Sequence, residues 1–243
     1  MTATPAPMQE GLHRLRSPGG LAKAVVALLV AVIVADAGAV AAGLNLRGVF
    51  ADIANGDPEF DLLDAAHRAD LLNQRAYSLQ LLTLLATAVV FIIWFRRVRL
   101  NAEVFDASQQ TMKPGWAIGA WFVPFGNFWL PRRVAGGVWA AGARTNTDGS
   151  WRTVSHTPLN LWWTAWVLDL VFGRYASRSY EQAELPQEIV DATGLVIASD
   201  VLDIVAAVLA ILFVRKLTAM QGERAALGLH PLPEQPATGP APS

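Results

Sequence analysis

Four long apolar stretches limit what this chain can fold into. They cover residues 24–44, 76–95, 157–175 and 192–214. A hydrocarbon layer of ~30 Å is crossed by about 20 helical residues at ~1.5 Å each, so each stretch has a suitable length. Basic residues mark several ends, because Lys23 precedes the first stretch and Arg96 and Arg215 follow the second and the fourth. The pattern predicts an all-α integral membrane bundle of four transmembrane helices.

The composition agrees with a membrane protein, because the chain has few charged residues to form a solvent-exposed surface. Of its 243 residues, 53% are hydrophobic and 16% are charged, whereas soluble domains have about 25% charged residues. The net charge is −1, and no basic stretch is interleaved with aromatic residues, so we expect no nucleic-acid partner. The sequence contains no cysteine, which excludes disulfides, thiolate metal sites and cysteine nucleophiles.

The first apolar stretch also has features of a secretory signal peptide. Arg14, Arg16 and Lys23 precede it, and small residues that resemble a cleavage site lie at residues 39–42. The apolar region of a signal peptide has about 7 to 15 residues, fewer than this stretch. We therefore interpret the stretch as an uncleaved signal anchor.

A fifth apolar stretch, residues 115–130, is short and is interrupted by Pro124. With four spans and a cytoplasmic N-terminus, the cytoplasmic segments contain 14 Lys and Arg residues and the outer loops contain 5. A fifth span would change this distribution to 9 and 10 and remove the excess of basic residues that orients membrane proteins. We therefore predict four spans, with both termini in the cytoplasm.

Residues 115–130 are predicted to lie at the cytoplasmic face, as an interfacial segment or as a re-entrant segment that dips into the leaflet. Four tryptophans suit the membrane interface: Trp116, Trp121, Trp129 and Trp139. Arg132 and Arg133 would face lipid headgroups. A break at Pro124 would free backbone groups, and Asn127 is expected to bind some of them.

The spans and this segment form one predicted membrane domain over residues 20–220. Residues 1–19 and the Pro/Ala-rich residues 221–243 have too few apolar side chains to bury, so we predict that both are disordered cytoplasmic tails. Apolar side chains at helical spacing after Pro58 predict that the second helix begins outside the membrane, near Pro58 and well before residue 76, and projects as an amphipathic rod.

Small residues on the first helix predict how it packs. Ala31, Ala35, Ala39 and Gly43 follow one another at intervals of four. Small side chains let two helices approach closely, and the fourth helix offers Ala206 and Ala210 to this face. We expect this contact to bring Asp36 towards Asp200.

A dense motif of glycine, proline, tryptophan and asparagine lies between residues 94 and 139. Its members include Asn101, Pro114, Gly115, Trp116, Gly119, Trp121, Phe122, Pro124, Asn127, Pro131 and Trp139. The order of these residues resembles that of the domain of unknown function 4328 family. The resemblance implies a bacterial, mostly actinobacterial, multi-pass protein of the inner (cytoplasmic) cell membrane. It implies no activity and no catalytic residue.

Four aspartates lie inside the predicted spans. They are Asp36, Asp169, Asp200 and Asp203. A charged side chain at the bilayer centre costs about 2.5 to 3.5 kcal/mol on insertion scales, so these residues need an explanation. They form either a polar cavity that binds protons or cations, or a set of structural groups that are protonated, hydrogen-bonded to residues such as Asn160 and Ser199, or paired with Arg174.

The sequence gives little sign of an enzyme. It has no nucleotide-binding loop, no HExxH and no Gly-x-Ser-x-Gly motif, and its four histidines are scattered along the chain. We therefore predict no catalytic residue, no cofactor and no metal site. A carboxylate-dependent lipid transferase in which Asp200 and Asp203 hold Mg²⁺ is the least favoured hypothesis.

The leading hypothesis is a non-enzymatic scaffold or accessory subunit that acts through helix–helix or lipid contacts. The alternative is a small transporter or channel component that uses the four aspartates for protons or cations. The expected partners are the lipid bilayer and either further copies of the chain or another membrane protein. A transporter is expected to place the four aspartates around one cavity, whereas a scaffold is expected to leave them isolated, capped or salt-bridged.

The predicted topology is testable by cysteine labelling, because the native chain contains no cysteine. Cysteines introduced at Gly56 and Gln187 are expected to react with a membrane-impermeant thiol reagent on intact cells, and one at Gly149 is not. Labelling at Gly149 from outside the cell would contradict the four-span topology.

Overall fold

The structure is a computed structural model that describes residues 15–56, 62–143 and 154–226. In these residues it is built of helices and contains no strand. The α-helices are α1 (Gly19–Asn55), α2 (Leu62–Phe105), α3 (Trp116–Gly119), α4 (Leu130–Gly142), α5 (Thr157–Glu181) and α6 (Pro186–Ala226). Short 3-10 helices lie at Ala107–Gln109 and Gly126–Phe128. The all-α prediction is confirmed for this part of the chain.

Among the described residues, three helices are long and apolar enough to cross a membrane, namely α1, α2 and α6. Their length and composition indicate a membrane protein. Helix α5 has 25 residues and is also long enough, but Asn160 and Asp169 interrupt its apolar sequence. The fourth predicted span therefore remains a prediction.

The long helices extend past the predicted spans. Helix α2 begins at Leu62, which confirms that the second helix starts well before residue 76. Helix α6 continues to Ala226, beyond the predicted start of the C-terminal tail at residue 221. The reason is that the Gln221 side chain is buried and donates a hydrogen bond to the carbonyl oxygen of Val98 at 2.8 Å. Residues 1–14 and 227–243 of the predicted tails lie outside the described residues.

The chain divides into two compact units. The predicted limits of the membrane domain at residues 20 and 220 remain predictions. The four-helix unit consists of Gly19–Trp94 and Thr157–Arg215. The described residues of the motif unit are 15–18, 95–143, 154–156 and 216–226, and they include the motif residues from Asn101 to Trp139.

In the four-helix unit, the predicted contact of α1 with α6 is confirmed at Gly43, which lies against Ile197 of α6, whereas packing on Ala206 and Ala210 remains a prediction. Ala35, Ala39 and Gly43 are buried, and a Cβ atom at Gly43 would lie 3.0 Å from Cγ1 of Ile197. A second part of the core is aromatic. In it, the Trp162 ring of α5 stacks on the Phe213 ring of α6 with centroids 4.4 Å apart. These contacts join α1, α5 and α6 into one bundle.

The motif unit is held by buried polar side chains. The Arg99 guanidinium forms an ion pair with Glu103 at 3.2 Å and donates a hydrogen bond to the carbonyl oxygen of Met112 at 2.7 Å. Asn101 bonds the backbone of Arg16 through both its oxygen and its nitrogen, and it also donates to Gln221. Charge-assisted and fully paired hydrogen bonds compensate for the burial of such groups.

Residues 115–130 do not form one continuous helix, in agreement with the predicted break. After α3 the chain turns at Pro124, and Phe125 has a φ of 58°. Helix α4 then starts with Pro131 in its first turn, where the missing N–H is tolerated. The side-chain oxygen of Asn127 is buried without a hydrogen-bond partner, so Asn127 Oδ1 does not bind the freed backbone groups as expected.

The predicted belt of four tryptophans needs a correction. Trp139 has no exposed surface and lies beside the His156 ring, with centroids 6.4 Å apart. The Trp121 ring packs edge-on against Phe95. Trp139 is therefore a core residue, whereas Trp116 and Trp129 are exposed.

The close approach at Gly137 gives a test of this packing. A Cβ atom there would lie 2.7 Å from the backbone oxygen of Gln109, and backbone cannot move aside as easily as a side chain. We expect Gly137→Ala to lower the free energy of unfolding by about 1 to 3 kcal/mol, as overpacking does. The measurement is thermal unfolding of the purified protein in detergent.

The matched control is Gly222→Ala, because a Cβ atom at Gly222 of α6 would meet nothing within 4 Å. Alanine stabilises a helix interior relative to glycine by roughly 0.5 to 1 kcal/mol, so this variant is expected to be as stable as the parent or more stable. Equal stability of the Gly137 and Gly222 variants would contradict the packing described for the motif unit.

Candidate functional site

Gln80 joins two of the four predicted aspartates. Its Nε2 atom donates one hydrogen bond to Oδ1 of Asp36 at 3.0 Å and another to Oδ1 of Asp200 at 2.9 Å. These residues lie on α1, α2 and α6, and all three belong to the four-helix unit. A primary amide has two N–H donors, so the bridge uses both of them. The expected approach of Asp36 to Asp200 is confirmed, through a residue that the prediction did not include.

Asp36 is the most deeply buried of the four aspartates. It is only 1% exposed, and its second oxygen, Oδ2, has no hydrogen-bond partner among the described residues. A buried carboxylate oxygen without a partner is costly when it is charged. This atom is therefore a place where a proton or a cation would lower the free energy of the folded protein.

The other aspartates line a cavity between α5 and α6. The cavity has a volume of about 270 Å³. Its walls contain Asp169, Leu170, Gly173, Arg174, Ser177, Ser199, Asp200 and Asp203. Asp200 thus belongs both to the cavity and to the bridge through Gln80. The cavity and the bridge are parts of one polar site, which we call the carboxylate site, formed by Asp36, Gln80, Asp169, Asp200 and Asp203.

The helix geometry explains why the carboxylate site is compact. Asp200 and Asp203 are three residues apart, so they lie on the same face of α6. The carboxyl groups lie near one another, because Asp169, Asp200 and Asp203 line the same cavity and Asp36 and Asp200 bind the same Gln80 nitrogen. Four like charges at this spacing repel each other unless protons or cations reduce their number.

Within the described ranges, no lysine or arginine forms an ion pair with any of the four aspartates. Arg174 lies in the cavity wall but not within ion-pair distance of these carboxylates. In the same part of the chain, no group of three or more His, Cys, Asp or Glu residues is arranged to hold a metal ion. Chemically, the carboxylate site is able to hold and exchange protons, or to hold a cation of low charge.

Sequence reasoning missed Gln80. The signal that identifies it is that Gln80 is the one amide side chain in residues 76–95, a stretch with no charged residue. An amide in an apolar helix needs hydrogen-bond partners, and carboxylates are the strongest acceptors that a protein offers. Sequence reasoning also omitted Ser177 of the cavity wall, which lies beyond the end predicted for the third span.

The motif residues contribute to structure in the motif unit. Pro114 and Gly115 precede α3, and the backbone oxygen of Gly115 accepts hydrogen bonds from Ile118 and Gly119. Asn101 is buried and fully engaged in hydrogen bonds. These contacts explain why the motif has so many turn-forming and aromatic residues. They do not form the carboxylate site, whose members all belong to the four-helix unit.

Comparison with known proteins gives a family but no activity. The model of the family described as Domain of unknown function (DUF4328) matches residues 59–219, which is more than half of the chain. The chain belongs to this family, as its motif indicated. No curated protein and no solved structure matches the chain. The matched region includes Gln80 and three of the aspartates, and Asp36 precedes it.

The bridge at Gln80 is testable by Gln80→Leu. The substitution removes both donors and leaves two buried carboxylate oxygens without a partner, which costs about 1 to 3 kcal/mol for each unsatisfied group and more for a charged one. We therefore expect a clear fall in the thermal unfolding temperature at neutral pH.

Gln74→Leu is the matched control, since Gln74 lies on the same helix and is exposed. Combining Gln80→Leu with Asp36→Asn and Asp200→Asn is expected to recover part of the loss, because the neutral amides no longer repel each other. If Gln80→Leu and Gln74→Leu are equally stable, Gln80 does not bridge the carboxylates.

Proposed function

We propose that this member of the DUF4328 family is a proton-binding component of a membrane transport system, with the proton held at the carboxylate site. The observation that carries the proposal is the Gln80 amide, which links Asp36 on α1 to Asp200 on α6. The linked pair adjoins the cavity that also contains Asp169 and Asp203. Such grouped carboxylates are typical of proton relays in membrane proteins.

The arrangement supports a transporter or channel component over a scaffold. A scaffold requires only that each buried aspartate be neutralised locally, by a cap or an ion pair. Here the Gln80 amide joins Asp36 to Asp200, and Asp200 lines one cavity with Asp169 and Asp203, so carboxylates from three helices belong to one site. A lipid transferase needs two carboxylates that hold a metal between them, and nothing in the geometry favours this over proton binding.

The proposal includes a topology in which α5 is the fourth transmembrane helix. Its 25 residues correspond to about 37 Å at ~1.5 Å per residue, enough to cross the hydrocarbon layer. The distribution of 14 basic residues to cytoplasmic segments and 5 to outer loops supports cytoplasmic termini in a cell membrane. In this topology residues 115–130 lie at the cytoplasmic face, and the carboxylate site lies within the bilayer.

The proposed chemistry uses the two oxygens of each carboxyl group differently. Gln80 occupies Oδ1 of Asp36 and Oδ1 of Asp200, so each of these oxygens is fixed as a hydrogen-bond acceptor. Oδ2 of Asp36 is left to carry a proton. Asp169 and Asp203 in the cavity wall provide the route by which that proton is exchanged. Four helices form a narrow bundle, so the proposed complex contains further copies of the chain or another membrane protein.

The test is the pH dependence of thermal unfolding in detergent for the parent protein and for a variant with all four aspartates changed to asparagine. Protonation relieves repulsion among the carboxylates in the folded protein, so the parent is expected to become more stable as the pH falls from 8 towards 5. Each kcal/mol of stabilisation raises the unfolding temperature by roughly 2 to 4 °C for a chain of this size. The fourfold variant is expected to lose most of this dependence.

Asp191→Asn is the control, because Asp191 is exposed near the start of α6. It is expected to keep the pH dependence of the parent. Stabilisation by added Na⁺ or K⁺ at pH 8, absent in the fourfold variant, would show that the site binds a cation instead of a proton. If the fourfold variant keeps the full pH dependence and no cation effect appears, the aspartates are structural groups and the proposal is wrong.

A further inference from the structure

The motif unit exposes two aromatic side chains on either side of its proline turn. Phe122 is 71% exposed and Phe125 is 77% exposed, and Trp129 a few residues later is also exposed. Single exposed apolar residues are common, but three large ones within eight positions form a contiguous apolar segment that normally contacts another apolar phase. We call residues 122–129 the aromatic turn.

The backbone of the aromatic turn holds Phe125 in an unusual conformation. Its φ of 58° is rare for a bulky residue that is not glycine. Gly126 has no room for a side chain, since a Cβ atom there would lie 2.8 Å from side-chain atoms of Val123 and Leu130. The N–H of Asn127 donates to the carbonyl oxygen of Val123 at 3.0 Å. Strained backbone persists only where the surrounding packing fixes it. The conformation of this turn is therefore determined by its contacts.

The charge of the surrounding sequence has one sign. Residues 107–147 contain four basic residues and no acidic residue. Lys113 and Arg133 are exposed, one on each side of the aromatic turn in sequence. Arg132 is different, because its guanidinium folds back to within 3.1 Å of the position of a Cβ atom at Gly136. Exposed aromatic residues flanked by exposed basic residues complement a surface that is apolar within and anionic at its boundary.

We propose that the aromatic turn inserts Phe122 and Phe125 into the acyl region of a bilayer and binds anionic phospholipid headgroups through Lys113 and Arg133. The inference rests on the proposed topology, which brings residues 115–130 to the membrane surface, and it is independent of the carboxylate site. It assigns the anchoring role to the two phenylalanines instead of to Trp121 and Trp139, whose rings pack on Phe95 and beside His156.

The test uses the full chain, whose lack of cysteine allows a single reporter to be placed. Phe125→Cys is labelled with an environment-sensitive fluorophore and the protein is placed in nanodiscs of phosphatidylcholine, with or without phosphatidylglycerol. We expect a blue-shifted emission that nitroxides on the acyl chains quench several-fold more strongly than in the control, and more strongly when phosphatidylglycerol is present. Phe122→Cys is the second reporter, because it lies outside the strained position.

Gln109→Cys is the control reporter, since Gln109 is exposed in the same unit but lies before the aromatic turn. Lys113→Gln combined with Arg133→Gln is expected to remove the effect of phosphatidylglycerol while leaving the signal in phosphatidylcholine unchanged. Emission from both phenylalanine positions equal to that of the control in both lipids would overturn the proposal and indicate a protein partner for this surface. Insertion that does not depend on phosphatidylglycerol would overturn the anionic-lipid assignment.

The outcome is separable from that for the carboxylate site. Changing all four aspartates to asparagine is expected to leave the emission of the Phe125→Cys reporter as it is in the parent. Loss of lipid quenching together with an intact pH dependence of unfolding would remove this inference alone, and the reverse result would remove only the proton-binding proposal.

Discussion

The four-helix unit depends on one constraint, which is that Asp36 and Asp200 are buried, Asp169 and Asp203 are half-buried, and none of the four forms an ion pair with a basic residue that the structure describes. An uncompensated charge in an apolar surrounding is unfavourable. These carboxyl groups must therefore accept hydrogen bonds, be protonated or bind cations. One donor set comes from Gln80, which contacts α1 and α6 at once. The bundle is therefore held together in part by the same groups that make it polar inside. A change in their protonation would alter helix contacts as well as charge.

The sequence allowed much of this fold to be predicted, because length and apolar composition determine where a helix can cross a membrane. Small residues at intervals of four also identified the contact of α1 with α6, seen at Gly43 and Ile197. Two features were not predictable in this way. The end of α6 depends on Gln221, whose partners are more than 100 positions away in sequence. The burial of Trp139 depends on tertiary contacts, which composition does not encode.

Of the residues in the carboxylate site, only the four aspartates were predicted from the sequence. Aspartates inside apolar stretches attract notice because each is costly there. Gln80 did not, because an amide in an apolar stretch shows only that a hydrogen-bond partner is needed and does not identify that partner. The family motif also gave no indication of the carboxylate site. The reason is that the motif lies in the motif unit, whereas the four aspartates lie in the four-helix unit. The most recognisable part of the sequence is therefore not the part that contains the grouped carboxylates.

The contacts of Asn101 have a consequence for which sequences are tolerated at the start of the chain. Its side-chain amide accepts a hydrogen bond from the N–H of Arg16 and donates one to the carbonyl oxygen of the same residue, so it imitates the neighbouring strand of a sheet. Both hydrogen bonds are made to backbone atoms of Arg16 and neither involves its side chain. Position 16 thus requires only a residue with a backbone N–H, which excludes proline, whereas aspartate at position 101 would lose the donor that completes the pair.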